Sequence, residues 1–451
     1  MKRAFATRGT RTLFAAASGI AGLAPFAAHA DEVSPAALDQ RLRIVEQKLA
    51  EPSPPSAATV SAGPRGFTIA SGDYQLSLHA LAQVDGRFYV DDTDARFNDG
   101  FRLRRLRPTF DGSLGKLIGF RLTPEFAGDG SGSSASVVDA YIDLRFSPAA
   151  SVRVGRQKGP LGLERLQSST SLSFVERGYP TELVPNRDIG VALFGELLDR
   201  RVSYTVGLFN GTRDGRDVDG VDADGRHELE GRIFIEPFRS TPGVLQGLGF
   251  GIGASTGTQK SSSAGSSTLP QYRSPGQNTF FQYVATAQPD GTHTRWSPQA
   301  YWYYGSVGAL AEYARSKQDV RNTPSGGSAT TESFGNDGYE LTLTYVLTGE
   351  KASYKGVGQP RHAVGADGWG AWEVAARYGA LDVDNDVFRD GYANASSAAS
   401  KASSIGVGIN WYLTANAKLV LDYDHTRYDG GASSGDRQAE KAVFTRLQIS
   451  Y

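Results

Sequence analysis

Apolar and polar side chains alternate with a period of two residues in one segment after another, from residue 74 to the C-terminus. In the first segment, 74–90, one face carries Tyr74, Leu76, Leu78, Ala80, Ala82, Val84, Phe88 and Val90. The other face is hydrophilic except for Leu81. Successive side chains of a β-strand point to opposite faces, so the alternation predicts long strands with one apolar and one hydrophilic face. Such strands are typical of a barrel with lipid outside and water inside.

The composition favours a barrel over soluble domains. Only 39% of the 451 residues are hydrophobic, while 54 are glycine. A soluble protein of this length would bury a core richer in Leu and Ile, whereas a water-filled barrel needs no such core. The chain has no cysteine, which excludes disulfides, thiolate metal sites and cysteine nucleophiles.

The alternation predicts about sixteen strands, over residues 74–90, 100–112, 117–127, 137–147, 151–158, 187–196, 201–210, 229–238, 246–256, 296–304, 306–317, 337–348, 370–382, 403–413, 417–429 and 440–451. Connections after even-numbered strands are mostly short, with 349–369 the exception. Connections after odd-numbered strands are long and polar, above all 159–186, 211–228 and 257–295. Short periplasmic turns and long extracellular loops explain this asymmetry. The predicted fold is an all-β, membrane-spanning, antiparallel up-and-down β-barrel.

The first 30 residues have the features of a secretory signal peptide. Basic residues at positions 2, 3, 8 and 11 precede an apolar stretch over 13–23, and Ala28-His29-Ala30 forms a cleavage motif. The apolar stretch is shorter than the roughly 20 residues of a transmembrane helix. We therefore expect residues 1–30 to be removed during export, and the protein to reside in the bacterial cell outer membrane.

A short helix and a linker are predicted between the signal peptide and the barrel. Within residues 31–51, Leu38, Leu42, Val45 and Leu49 follow spacings of four, three and four, which indicates a coiled-coil seam. The segment is either a periplasmic coiled coil that joins subunits or a frayed surface helix. Residues 52–66 are predicted as a Pro/Ala/Ser linker, and residues 67–451 as the barrel.

The sequence contains no convincing enzyme motif. Residues 253–257 match G-x-S-x-G, but a polar loop follows where a nucleophile elbow needs a helix. Glycines 247, 249, 251 and 253 alternate with apolar residues, which predicts a strand with a bare inner face. The acidic loop 214–228 departs from the EF-hand pattern, which leaves at most loose binding of divalent cations. We expect no enzyme activity, no cofactor and no metal site.

The most informative cluster is Phe101-Arg102-Leu103-Arg104-Arg105-Leu106-Arg107. If Leu106 and Phe110 face lipid, Arg105 and Arg107 point inward. Phe101 and Leu103 have the opposite phase and direct Arg102 and Arg104 inward. A charge that faces lipid costs about 2–4 kcal/mol at the membrane midplane. The sequence therefore predicts a β-bulge at Arg104-Arg105 that lets both side chains reach the lumen.

These arginines predict an anion constriction. Arginine stays charged and offers a planar fork of donors, and several along a pore can replace the water shell of an anion. Loop 159–186 has room to fold into the barrel and adds Arg165 and Arg177. Arg87 and the acidic residues Asp139 and Asp143 are expected to face the same lumen. Two alternatives are a positive wall opposite acidic residues, as in a general porin, and a lipopolysaccharide site near the rim.

Several segments, in order along the chain, resemble the phosphate-selective porin O and P family. They are residues 101–105 (FRLRR), 138–141 (VDAY), 160–169 (PLGLERLQSS), 174–177 (FVER), 347–350 (LTGE), 370–373 (GAWE), 408–412 (GINWY) and 445–448 (TRLQ). The resemblance implies a sixteen-stranded trimeric porin whose third loop folds inward. It implies that Arg104 and Arg105 are paired constriction arginines, that Asp139 is the lumen acid, and that Arg165 stands where relatives carry a lysine. Phosphate-selective members have a further arginine near the position of Leu81.

We therefore expect passive uptake of small anions, phosphate or related oxyanions among them. The predicted constriction consists of Arg104, Arg105, Arg107, Arg165 and Asp139, and Arg87, Arg102, Arg177 and Asp143 are secondary lumen residues. The expected partners are outer-membrane lipid, lipopolysaccharide and further copies of the chain in a homotrimer, with no nucleic acid. The alternatives are a weakly selective general porin and a barrel that serves as an adhesin or receptor.

Overall fold

The structure is a computed structural model that describes residues 58–64, 66–92, 97–127, 135–218, 222, 224–261 and 269–451, with positions 36, 39, 40, 42 and 43. The chain divides into two units, 1–55 and 56–451. In the first unit the five described positions are helical. The predicted signal peptide 1–30 and most of the predicted coiled-coil segment 31–51 lie outside the described residues.

The second unit is built almost entirely of β-strands. In chain order they are β1 (Thr59–Gly63), β2 (Gly66–Ser71), β3 (Tyr74–Tyr89), β4 (Gly100–Leu114), β5 (Ile118–Glu125), β6 (Ser136–Ser147), β7 (Ala150–Lys158), β8 (Arg187–Leu197), β9 (Val202–Phe209), β10 (Glu228–Ile235), β11 (Leu248–Lys260), β12 (Gln271–Arg273), β13 (Thr279–Gln282), β14 (Ala287–Tyr304), β15 (Val307–Asn322), β16 (Thr330–Val346), β17 (Ala371–Asp382), β18 (Ala399–Tyr412), β19 (Ala417–Ala432), β20 (Gly435–Asp436) and β21 (Glu440–Ser450). Two one-turn α-helices, α1 (Leu163–Leu166) and α2 (Asp386–Arg389), and a 3₁₀ turn (Tyr179–Glu182) complete the unit.

Within the described residues, sixteen of these strands close an antiparallel barrel. Strands β3 to β11, β14 to β19 and β21 each pair with the next, and β21 pairs with β3 from Ala442–Tyr89 to Ser450–Leu81. The predicted sixteen-stranded barrel is confirmed. Among the described residues, no helix is both long and apolar enough to cross a membrane.

The alternation in the sequence sets which side chains face out. On β16 and β18 the apolar positions, such as Leu343, Tyr345, Ile405 and Val407, are about half exposed on the outer wall. The intervening polar positions, such as Glu340 and Ser404, are buried inside. Apolar side chains on the outside and hydrophilic ones on the inside suit a lipid environment.

Connection lengths divide the barrel into two ends. Short connections over 148–149, 305–306 and 413–416 define the turn end, where Gly305 adopts a φ of 56° that a side chain would disfavour. Long connections, including 159–186, define the loop end. The long connection 347–370 lies at the turn end, as the sequence indicated.

Two differences from the predicted strands have local causes. Thr59–Gly63, within the segment predicted as a linker, forms β1, which pairs with β2 as far as Gly63–Gly66, and Gly66 adopts a φ of 98°. Strand β14 begins at Ala287 rather than 296, with a register shift between Pro289 and His293. Proline and Gly291 interrupt the alternation there and hide the first turns of the strand.

A dry core fills one side of the loop end. The β12–β13 hairpin contributes Tyr272 and Phe281, and Tyr392 and Phe334 pack on the same cluster. Phe334 and Tyr392 form an edge-on aromatic pair with ring centroids 4.8 Å apart. This core covers the barrel near β14 to β19, so any passage lies toward β3 to β10.

Candidate functional site

The loop between β7 and β8, residues 159–186, lies inside the barrel and is called the inward loop below. Side chains of the wall bond its backbone along its length. Glu312 accepts hydrogen bonds from the amides of Leu163 (2.8 Å) and Glu164 (3.0 Å). Four other wall side chains donate to carbonyl oxygens of the inward loop. They are Asn410 to Ser173 (2.9 Å), Lys418 to Leu172 (2.7 Å), Arg446 to Val175 (2.7 Å) and Arg377 to Glu176 (2.8 Å). The loop is therefore fixed against β15 to β21.

The bare inner face of β11 makes room for the start of this loop. A Cβ atom on Gly253 would lie 3.2 Å from Leu161 Cα and 3.3 Å from the carbonyl oxygen of Pro160. Leu161 is completely buried. The inward loop thus occupies the space in front of Gly253, whereas the side chains of Phe234 and Tyr301 lie in front of Gly249.

Two connected cavities remain between the inward loop and the opposite wall. The first, of about 980 Å³, opens at the turn end and is called the vestibule. Its strand residues come from β3 to β10, apart from Ser450 at the barrel seam. The second, of about 240 Å³, lies farther toward the loop end and is called the inner cavity. Both are lined by Arg107, Lys158, Ser169 and Arg187, so the cavities meet at these four residues.

The inner cavity is strongly basic. Among the described residues its lining includes eight cations and three carboxylates, namely Arg104, Arg105, Arg107, Lys158, Arg165, Arg177, Arg187 and Arg216 against Glu176, Glu182 and Asp217. Arg104, Arg107, Arg187 and Arg216 have carboxylate partners within ion-pair distance. Within the described part of the chain, no such partner faces Arg105, Lys158, Arg165 or Arg177. The arrangement attracts anions and offers several donors to them.

The predicted bulge at Arg104-Arg105 is present. Across β3 and β4, Gln83 pairs with Arg105 while Val84 pairs with Leu103, so Arg104 is the extra residue. Both guanidinium groups line the inner cavity. Arg105 donates to Gln83 Oε1 at 2.6 Å. The bulge therefore lets both adjacent arginines face the lumen, where a regular strand would direct one of them toward lipid.

Glu176 of the inward loop neutralises part of this charge. Its carboxylate accepts from Arg104 Nε (2.8 Å), Arg104 Nη2 (3.1 Å) and Arg87 Nη2 (2.5 Å). Burial alone would raise the pKa of Glu176, but Arg104 and Arg87 hold that pKa well below its usual range. Glu176 is thus ionised, and it ties the loop to the arginine-bearing wall.

The other predicted constriction residues take different positions. Arg107 pairs with Glu125 at 2.5 Å and lines both cavities. Asp139 lines the vestibule and pairs with Arg187 at 2.9 Å. Arg165 lines the inner cavity, where its guanidinium also bonds the carbonyl oxygen of Thr181. The structure brings all five predicted residues to these two cavities.

Of the four predicted secondary lumen residues, all within the described part of the chain, one lines a cavity and three do not. Arg177 lines the inner cavity. Arg87 is buried between Glu176 and the carbonyl oxygen of Gly276. Among the residues described, neither Arg102 nor Asp143 lines the vestibule or the inner cavity. Asp143 pairs instead with Arg153 at 2.7 Å.

Sequence reasoning missed Lys158, Arg187 and Arg216. Alternation from Val152 and Val154 would direct Lys158 toward lipid. Gly155, with a φ of 127°, lies between Val154 and Lys158 and marks a local departure from regular strand geometry. That glycine was the available signal for Lys158. Arg187 and Arg216 border loops, where alternation carries no information.

A closed antiparallel barrel with an inward loop and a hydrophilic lumen defines an outer-membrane porin, which is a channel and not an enzyme. The family model for phosphate-selective porin O and P matches residues 78–451, and the chain belongs to this family. The predicted resemblance and the outer-membrane location are thereby confirmed.

Individual relatives are more distant. Porin O of Pseudomonas aeruginosa is 27% identical over 158 residues, a match that spans 35% of each chain. The outer membrane channel DcaP of Acinetobacter baumannii is similar in fold, with a TM-score of 0.54 and 14% identity over 86% of this chain and 100% of that one. An anion-selective porin from Comamonas acidovorans has a TM-score of 0.52 and 14% identity over 84% of this chain and 100% of that one.

Proposed function

We propose that this porin mediates passive uptake of small anions, with phosphate and related oxyanions as favoured solutes. The observation that carries the proposal is the lining of the inner cavity, where eight basic side chains face three acidic ones. Positive charge with few counter-charges attracts anions and repels cations. Membership of a phosphate-selective family and the fold shared with the anion-selective porin of Comamonas acidovorans support an anionic solute.

Arg105 is the proposed centre of the constriction. It lines the inner cavity without a carboxylate partner among the described residues, and its guanidinium donates one hydrogen bond there, to Gln83. Its remaining donors suit the oxygens of a tetrahedral oxyanion. Arg104, Arg107 and Arg165 line the same cavity. Several partly engaged donors replace the water shell of an anion without trapping it.

Asp139 is proposed to weaken the binding of the anion, whereas the arginines strengthen it. Its carboxylate lies at the vestibule side and engages Arg187, one of the four residues shared by both cavities. A carboxylate beside the passage weakens the binding of an anion there. Weaker binding speeds release, which a channel needs for conduction.

Export and assembly complete the proposal. Residues 1–30 act as a cleaved signal peptide, and the mature barrel contacts outer-membrane lipid and lipopolysaccharide through its apolar outer wall. A homotrimer is the proposed assembly, with residues 31–51 as a periplasmic coiled coil. Chemical crosslinking of the purified protein tests the trimer, and N-terminal sequencing tests cleavage before Asp31.

Reversal potentials in planar lipid bilayers test the proposed selectivity. With a KCl gradient we expect a potential that favours chloride over potassium, and block of the chloride current by millimolar phosphate. Arg104→Ala and Arg105→Ala should each weaken the anion preference. Arg102→Ala is the matched control, because Arg102 lies on the same strand but lines neither cavity among the described residues.

Other outcomes point to other functions. A preference for potassium would indicate a general porin, and an absence of conductance would indicate an adhesin or receptor. Unchanged selectivity in both Arg104→Ala and Arg105→Ala would refute their role in the constriction.

A further inference from the structure

The ammonium group of Lys158 bonds three consecutive carbonyl groups of the inward loop. Its Nζ donates to the carbonyl oxygens of Arg165 (3.0 Å), Leu166 (3.0 Å) and Gln167 (3.1 Å). These carbonyls lie at the end of α1, where a helix leaves carbonyl groups without partners of its own. A lysine has three N–H donors, so this arrangement uses all of them.

Arg177 bonds the same turn from another direction. Its Nε donates to the carbonyl oxygen of Glu164 (2.9 Å), and its Nη2 donates to that of Gln167 (2.8 Å). The carbonyl oxygen of Gln167 therefore accepts from both Lys158 and Arg177. Arg165 belongs to the turn itself. Three cations of the inner cavity thus depend on the position of one helical turn.

We infer that Lys158 is a positioning residue that sets the basic face of the inward loop by fixing α1 to strand β7. This inference rests on the proposed anion selectivity, which it extends to a residue on the wall. Lys158 lies where the vestibule and the inner cavity meet. Without its ammonium group, the carbonyl oxygens of Arg165 and Leu166 lose this donor and that of Gln167 keeps only Arg177. The turn that carries Arg165 and holds Arg177 is then less firmly fixed to β7.

A simpler role would be that of a fixed positive charge beside the passage. Lys355 provides the comparison, because it also lines the vestibule and is exposed. Within the described residues, its ammonium group has no hydrogen bond to the inward loop. Lys355→Met removes one charge from the same vestibule, whereas Lys158→Met removes a charge together with three bonds to the loop.

A double-mutant cycle on the full-length protein in planar bilayers tests the inference. The variants are Lys158→Met, Arg165→Met, the double variant and Lys355→Met, each checked for a folded barrel by its heat-modifiable mobility on gels. We expect Lys158→Met to lower the chloride-to-potassium permeability ratio by about fivefold or more, and Lys355→Met by less than about twofold. We also expect larger open-channel current noise in Lys158→Met alone.

The cycle separates positioning from charge. If Lys158 positions Arg165, Arg165→Met has little further effect on the permeability ratio once Lys158 is methionine, so the two changes are not additive. Additive effects, or equal shifts in Lys158→Met and Lys355→Met without added noise, would overturn the inference. A wild-type channel without anion preference would refute the proposed function instead, and the noise and conductance of the same variants would still test the positioning role.

Discussion

Glu176 accepts two hydrogen bonds from Arg104, at 2.8 Å from Nε and 3.1 Å from Nη2. The same carboxylate accepts a 2.5 Å bond from Arg87. One residue of the inward loop therefore compensates two arginines of the wall. As a result, the two arginines of the bulge are not equivalent, because Arg105 has an amide partner where Arg104 has a carboxylate.

Glu176→Gln is expected to increase anion preference and to reduce stability. The substitution removes a negative charge from the inner cavity and leaves Arg104 without a carboxylate partner among the described residues, while Arg87 keeps Asp85 at 3.7 Å. The loss of one partner from a buried ion pair costs about 3–5 kcal/mol. Reversal potentials measure the first effect, and thermal unfolding in detergent, followed by circular dichroism, measures the second. An unchanged anion preference would show that the charge of Arg104 does not act on the permeant ion.

Asp139→Asn is expected to strengthen phosphate binding. The change releases Arg187 from its 2.9 Å ion pair at the junction of the two cavities. Phosphate should then block the chloride current at a concentration lower by about fivefold, the change expected for about 1 kcal/mol of added attraction. Asp382→Asn is the control, because Asp382 pairs with Lys401 at 2.8 Å and, among the described residues, neither of the two lines either cavity. Equal shifts in both variants would contradict a specific role for Asp139.

The barrel was predictable from sequence because its lipid face and its lumen impose a period of two on every strand. The bulge at Arg104 was predictable for the same reason, since an unbroken strand would direct one of the two adjacent arginines toward lipid. Lys158 was missed, because the alternation before Gly155 directs it outward and only the glycine itself signalled the departure from regular strand geometry. Glu176 could be recognised only as part of a family motif. Its bonds to Arg104 and Arg87 join residues 72 and 89 positions apart, a relationship that local patterns do not contain.

Leu81→Arg is expected to raise the affinity for phosphate. Leu81 is the one apolar residue on the inner face of β3, lines the vestibule and pairs with Arg107 across β3 and β4. An arginine there would add a donor fork beside the junction of the two cavities. Leu81→Gln is the control, since it adds polarity without charge. We expect stronger phosphate block in Leu81→Arg alone, and similar block in both variants would show that charge at this position does not matter.

Gly253→Val is expected to displace the start of the inward loop. The space in front of Gly253 is occupied by Leu161 Cα at 3.2 Å from an ideal Cβ position, and this neighbour is backbone that cannot rotate away. Leu161 is fully buried, so the loop has no free space behind it. Overpacking of this kind typically costs about 1–3 kcal/mol. We expect a lower unfolding temperature and altered conductance.

Gly231→Val is the matched control for this prediction. Gly231 lies on the neighbouring strand β10, where an added Cβ would meet only the carbonyl oxygen of Thr205, at 3.6 Å. The control therefore introduces the same side chain in a barrel strand without a collision with the inward loop. If the seat of the loop on β11 defines the passage, only Gly253→Val changes both conductance and anion preference. Wild-type conductance and stability in Gly253→Val would show that the inward loop does not need the bare face of β11.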